Sequence, residues 1–289
     1  MSSLNSLVVL AGGASSRMKK NASNQSILSA EEIQQANERS KGLIGLGGNG
    51  RPMLDYVLYN AKRAGYEKIY IVIGEQGELF RDFYGGSNGF HGLEVVFAIQ
   101  RVPSEREKPF GTADALCQAM EQYPELQEKR FTVCNSDNLY SVEAFDLLRN
   151  TESPQALITY DRDALEFDSE RISRFALVKM DDWNNLIDII EKPKLDEVGK
   201  YRDTKGKLRV SMNIFTFDGK KLFPYLKHCP VHPVRLEKEL STALLGMLGK
   251  FSGDMKGIPM AEHVPDLTAK NDIVEVKKYL KEHYSTLEW

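Results

Sequence analysis

The sequence predicts an α/β fold: a mixed, mostly parallel sheet flanked by helices, extended by antiparallel strands in the C-terminal half. Three observations predict it. Segments rich in Val, Ile, Leu or Phe at 4–11, 68–74, 93–100 and 130–136 have the length and composition of buried strands. Helical spacing appears between and after them, at 52–65, 112–122 and 142–149, the alternation that builds βαβ units. From about residue 155 the strands at 155–161, 174–180, 185–191 and 208–217 follow one another with little helix between them, as in antiparallel sheet.

The first strand runs through Leu7-Val8-Val9-Leu10 into Ala11-Gly12-Gly13. Small residues let backbone N–H groups approach a ligand. Ser15, Ser16 and Arg17 then add hydroxyls and a fixed cation, a combination that suits a triphosphate. The loop is neither a P-loop, since no Gly-Lys-Ser/Thr follows, nor Gly-x-Gly-x-x-Gly. On its own it also fits a tight strand-to-helix turn. Residues 19–40 are polar and read as a surface insertion, with a lid over the triphosphate or a partner contact as the alternatives. Within them, Ser29 followed by Glu32 is a capping box that starts a short helix through about 39.

Met53, Val57, Leu58 and Ala61 mark the apolar face of the next helix. In 112–122, Ala115, Leu116 and Ala119 are the apolar face and Asp114, Gln118 and Gln122 the polar one. Asp137 follows the fourth strand, as Gly12 follows the first. Both loops therefore belong near the carboxyl ends of parallel strands, where such sheets bind ligands. Helices at 219–227, 235–249 and 271–284 complete the chain, the last with Ile273, Val274, Val276 and Leu280 on one side. No Pro/Gly/Ser linker divides the sequence, so 1–289 reads as one domain with halves of about 1–150 and 151–289. No internal repeat is visible.

The net charge of −3 advertises no surface for a nucleic acid polymer or a membrane. The apolar run at the start is too short to span a bilayer, and no basic stretch precedes it as in a secretion signal. Cys117, Cys134 and Cys229 are odd in number and scattered, as expected of buried reduced thiols in a cytoplasmic protein. His228, Cys229 and His232 have no second cluster to complete a zinc site.

Leu-Ala-Gly-Gly-x-x-x-Arg-Met at 10–18 resembles the opening signature of the sugar nucleotidyltransferases, the nucleoside-diphosphate-sugar pyrophosphorylases. Further segments resemble that family in order: Lys41-Gly42-Leu43, then Gly-Arg-Pro-Met-Leu at 50–54, and Gln100 followed by Gly111-Thr112-Ala113-Asp114-Ala115-Leu116. Ser136-Asp137-Asn138 resembles its Gly-Asp-Asn metal motif, and Glu191-Lys192-Pro193 its Glu-Lys-Pro motif. Pro265-Asp266-Leu267-Thr268-Ala269 is a loose echo of its Asp-Val-Gly-Thr-Pro.

The resemblance implies a Rossmann-like fold of the nucleotide-diphospho-sugar transferase type, with a nucleotide-binding half and a sugar-phosphate half. It also implies transfer of a nucleotidyl group from a nucleoside triphosphate to a sugar 1-phosphate, with Mg²⁺ as cofactor. Arg17, Lys41 and Lys192 would be the catalytic cations. Leu10, Ala11, Gly12, Gly13, Gln100, Gly111 and Thr112 would bind the nucleotide. Asn138, Glu191 and Asn213 would bind the acceptor, and Asp137 the metal. Many members of the family carry a second metal carboxylate in a Glu-x-x-Thr-Asp stretch. Here Glu239-Leu240-Ser241-Thr242-Ala243 stands there without that Asp, leaving Glu239, Asp218 or a single carboxylate as alternatives.

Two other readings stay open. The opening signature also resembles molybdenum-cofactor guanylyltransferases, so a non-sugar phosphate acceptor, including one like phosphocholine, is an alternative. The other is a catalytically impaired nucleotide- or sugar-phosphate-binding regulator. The sugar, the base and the oligomeric state, a homo-oligomer included, are not legible.

Overall fold

The computed structural model describes residues 4–20, 28–87, 89–191, 193, 196–284 and 286–289. The N-terminal half alternates as expected. Strand β1 (Ser6–Leu10) is followed by helices α1 (Ala30–Glu38) and α2 (Met53–Arg63), then β2 (Lys68–Gly74), α3 (Glu78–Tyr84) and β3 (Glu94–Gln100). Helices α4 (Thr112–Gln122) and α5 (Glu125–Glu128) lead to β4 (Arg130–Asn135) and α6 (Val142–Asn150). The C-terminal half holds β5 (Gln155–Asp161), α7 (Ser169–Ile172), β6 (Leu177–Met180), β7 (Leu186–Ile190), β8 (Arg209–Val210) and β9 (Phe215–Asp218). It ends with α8 (Gly219–Lys227), α9 (Leu240–Leu248), β10 (Met255–Met260) and α10 (Asp272–His283).

Across the sheet the strands run β3-β2-β1-β4-β9-β5-β8-β6-β7, and β10 pairs with β5. The first four are mutually parallel. Beyond β4 the pairings of β9, β8, β6 and β7 are antiparallel, which is the expected extension. Side chains of a strand alternate between the two faces, and both faces are covered. Leu7, Val9, Ile69, Ile71 and Ile73 pack with α2, α6 and α10. Val8, Tyr70 and Val72 pack with α4, α8 and α9 on the other side.

The expected strand 208–217 is broken in two. Asn213 has φ +58°, a left-handed conformation that no strand tolerates, so Ser211 to Ile214 leave the ladder between β8 and β9. The expected helix 235–249 starts only at Leu240, because residues 228–239 form a loop around His232. In that loop His232 Nδ1 accepts the backbone N–H groups of Val234 and Arg235. Strand β10 was not expected. Gly257 and Pro259 disguise it, and Pro is tolerated because β5 is the one strand it pairs with among the described residues.

At the edge strand β3, glutamines of α4 take the place of a neighbouring strand. Gln122 accepts from the Ile99 N–H and donates to its carbonyl, both at 2.9 Å. Gln118 does the same at Arg101, at 2.9 and 3.1 Å. This satisfies backbone groups that an uncovered edge would leave open.

Candidate active site

The strand order turns back between β1 and β4, and ligands of such sheets bind beyond the carboxyl ends of the strands at that point. Leu10 pairs with Asn135 at those ends, and Ser136 N–H donates to the Leu10 carbonyl at 3.2 Å. The loops carrying Gly12 and Asp137 therefore leave the sheet side by side.

A second segment closes on the Asp137 loop. Leu139 N–H donates to the Pro265 carbonyl at 2.9 Å, and Leu267 N–H donates to the Asp137 carbonyl at 2.8 Å. Asn138 and Asp266 thus form an antiparallel bridge, and two aspartates from opposite halves of the chain come together. Lys41 reaches the same place. Its Nζ lies 2.7 Å from Asp137 Oδ2. The tight approach depends on Gly42, where a Cβ would sit 3.1 Å from Ser136 Cβ.

Burial pushes the Asp266 carboxyl above the usual carboxylate range, and the Asp137 charge adds to the rise. Arg171, Thr268 and Lys41 act against it. Thr268 Oγ1 donates to both Asp266 oxygens, at 2.8 and 3.1 Å. Arg171 lies 3.2 Å from Asp266 Oδ2, pairs with Asp272 and stacks on Phe167 with 4.2 Å to the ring centroid. Two nearby carboxylates with oxygen-only donors fit a hard divalent cation that takes its other ligands from phosphate and water. Among the described residues no group of three or more His, Cys, Asp or Glu is placed to hold a metal ion.

A cavity of about 790 Å³ opens beside this pair. Of the expected residues it is lined by Leu10, Arg17, Thr112, Asp137, Asn138, Glu191 and Asn213. Ala11, Gly12, Gly13, Gln100 and Gly111 lie outside its lining. Gly12 and Gln100 are in contact with each other, and the Gly111 carbonyl accepts from Gln100 Nε2 at 3.1 Å. Gly111 starts α4 with φ +101°, and a Cβ there would lie 2.4 Å from the Lys238 carbonyl oxygen. Lys192 lies outside the described residues.

The candidates for a second carboxylate stand at different places in this geometry. Asp218 pairs in register with Arg130, at the opposite end of β4 from Asp137, and it caps α8 through Lys220 N–H at 3.0 Å. Glu239 lines the cavity but is ion-paired with Arg235, which also lies 3.6 Å from Glu191. The carboxylate brought against the Asp137 loop by backbone pairing is that of Asp266. Arg171 and Arg235 line the same cavity and were not singled out by the sequence reasoning. The one available signal for Asp266 was the echo at 265–269.

The nucleotidyl transferase family matches residues 36–249. The chain belongs to that family. The match takes in Lys41, Gln100, Asp137 and Glu191 and stops before Asp266. Over 198 residues the chain is 27% identical to the chloroplastic/amyloplastic small subunit of glucose-1-phosphate adenylyltransferase from Triticum aestivum, covering 66% of this chain and 38% of that protein. It is 25% identical over 224 residues to glucose-1-phosphate adenylyltransferase of Koribacter versatilis (strain Ellin345), covering 76% of this chain and 49% of that protein. The chain thus spans half or less of the length of these relatives. The fold is similar to that of a UDP-glucose pyrophosphorylase solved with UDP-glucose, with TM-score 0.71 and 14% identity over 97% of this chain and all of the other.

Proposed function

We propose that this protein transfers a nucleotidyl group from a nucleoside triphosphate to a sugar 1-phosphate and releases pyrophosphate. The observation that carries the reading is the meeting of Lys41, Asp137 and Asp266 at the switch point of the sheet, beside a polar cavity. The relatives named adenylyltransferases support the same chemistry.

In this reaction an acceptor phosphate oxygen forms a bond to the α-phosphorus. The bond from that phosphorus to the bridging oxygen breaks, and pyrophosphate leaves. No covalent enzyme intermediate is needed, so the protein's task is to bring anions together and stabilise charge. Arg17, whose planar fork suits paired phosphate oxygens, holds the β- and γ-phosphates. Lys41 and Lys192 are the further cations, on the triphosphate and the acceptor phosphate. Leu10 to Gly13, Gly111 and Thr112 cradle the nucleoside, and Gln100 contacts its base. Asn138, Glu191 and Asn213 bind the sugar. Asp137 and Asp266 would hold Mg²⁺, which when bound supplies charge neutralisation at the phosphates. In this reading residues 1–150 form the nucleotide half and 151–289 the acceptor half, and the enzyme works in the cytoplasm.

The test is pyrophosphate release with ATP, CTP, GTP and UTP against a panel of sugar 1-phosphates. The expected result is Mg²⁺-dependent release that requires one sugar phosphate. No release with any pair, or release that requires a non-sugar phosphate, would overturn the reading.

A further inference from the structure

Three side-chain amides in a row are oriented by groups that cannot be turned round. Gln122 and Gln118 each accept from a backbone N–H of the β3 edge and donate to a backbone carbonyl, so their oxygen and nitrogen are assigned by chemistry. Gln118 Nε2 donates onward to Asp114 Oδ2 at 2.8 Å. The same Oδ2 accepts from Gln100 Nε2 at 3.0 Å, and the Gly111 carbonyl accepts from that nitrogen at 3.1 Å. Both neighbours of Gln100 on this side are acceptors, so its nitrogen must face them.

The oxygen of Gln100 therefore faces the other way. The residue is 3% exposed, and Oε1 lies so close to Gly12 that a Cβ there would be 3.2 Å from it. Among the described residues no donor bonds to Oε1. A buried amide with its N–H groups engaged and its oxygen open beside the small-residue loop can accept a hydrogen bond and cannot donate one.

We propose that Asp114 is a positioning residue for base recognition: it holds Gln100 so that the nucleotide base is bound through an N–H donor on its edge. This rests on the reading of Gln100 as a base contact. A base edge offering only a carbonyl or a bare ring nitrogen to Oε1 would meet lone pair with lone pair and be rejected. Asp114 does not touch the base and acts through Gln100.

The experiment uses the full chain. Binding of ATP, CTP, GTP and UTP is measured by calorimetry. The preferred triphosphate is then compared with its analogue methylated at the donor nitrogen (N6,N6-dimethyl-ATP for ATP, N3-methyl-UTP for UTP). In the wild type methylation should weaken binding about tenfold, the loss of one hydrogen bond to a buried acceptor. Asp114→Ala should raise the nucleotide KM about tenfold with kcat within about twofold, and should shrink the methylation penalty to about twofold. Asp114→Asn keeps an acceptor for Gln100 and Gln118 and should restore the wild-type preference. A wild type that binds parent and methylated nucleotide alike overturns the proposal, and that measurement stands even if Asp114→Ala does not fold. So does an Asp114→Ala protein with the wild-type KM and order of preference. If the wild type binds none of the four triphosphates, the nucleotidyl-transfer reading falls and takes this proposal with it. Transfer that ignores base methylation overturns the Asp114 proposal alone.

Discussion

Asp266 is buried beside a second acid, and that burial holds its carboxyl above the usual carboxylate range although Arg171, Thr268 and Lys41 act against the rise. Asp137→Asn and Asp266→Asn should each lower pyrophosphate release by at least about a hundredfold, the scale of removing a charge-stabilising contact. The melting temperature of the Asp137 variant should move by no more than a few degrees, because Asp137 is partly exposed. Wild-type rates in either variant would remove that residue from the site. Arg171 plays a different part. Its side chain is largely buried between Asp266 and Asp272, so Arg171→Ala leaves two carboxylates without their cation. The expected loss is about 3 kcal/mol of stability by urea unfolding, and a loss below about 1 kcal/mol would show the pair to be solvated. The sequence shows Asp137 plainly, because an acid directly after an apolar strand of an α/β sheet falls at the ligand-binding end. Asp266 shows only through the loose echo at 265–269, and Arg171 is hidden because its partners lie far along the chain. No local pattern marks an arginine whose partners are a residue at 266 and another at 272.

At the scale of elements, the periodic segments were legible and the interrupted ones were not. Helices α2, α4 and α6 carry apolar residues at regular spacing and appear where the pattern puts them. Strand β10 contains Gly257 and Pro259, and the stretch through Asn213 lacks any local warning that it will leave the ladder. The polar segment 19–40 is partly docked. Helix α1 begins at the capping box of Ser29 and Glu32, buries Ala36 and pairs Glu32 with Lys277 of α10. Its Gln35 Oε1 accepts the Gly45 N–H at 2.8 Å, just past the turn that carries Lys41. Replacing 19–40 by a short Gly/Ser linker should leave a folded protein, since loop shortening alone changes closure entropy by about 1 kcal/mol or less. The nucleotide KM should rise several-fold, because Lys41 loses its brace. Unchanged kinetics would make the segment a surface excursion, and loss of cooperative unfolding would place it in the core.

For the molecule as a whole, one sheet with two covered faces implies a single cooperative unfolding event. Its pH dependence should carry the mark of Glu262. Burial raises this carboxyl above the ordinary value of 4.5, although the Ser141 hydroxyl donates to it at 2.9 Å. The folded protein therefore holds that proton more tightly than the unfolded chain. The associated stability is fully present below pH 4.5 and is lost as pH rises through the elevated value. Glu262→Gln should remove this loss, so the variant's melting temperature should gain on the wild type as pH rises from about 4.5 to neutrality. Parallel curves for the two proteins would show that the carboxyl is not strained. The alternation of strands and helices made the sheet legible, but not the closure between its halves. That closure is the pair of backbone hydrogen bonds from Leu139 to Pro265 and from Leu267 to Asp137. Their two amide protons are guarded by contacts between the middle and last thirds of the polypeptide. They should exchange with deuterium as slowly as the core of β1, and only through complete opening. A state in which the C-terminal strands have come away would keep most of its helical dichroism and yet part Asp137 from Asp266.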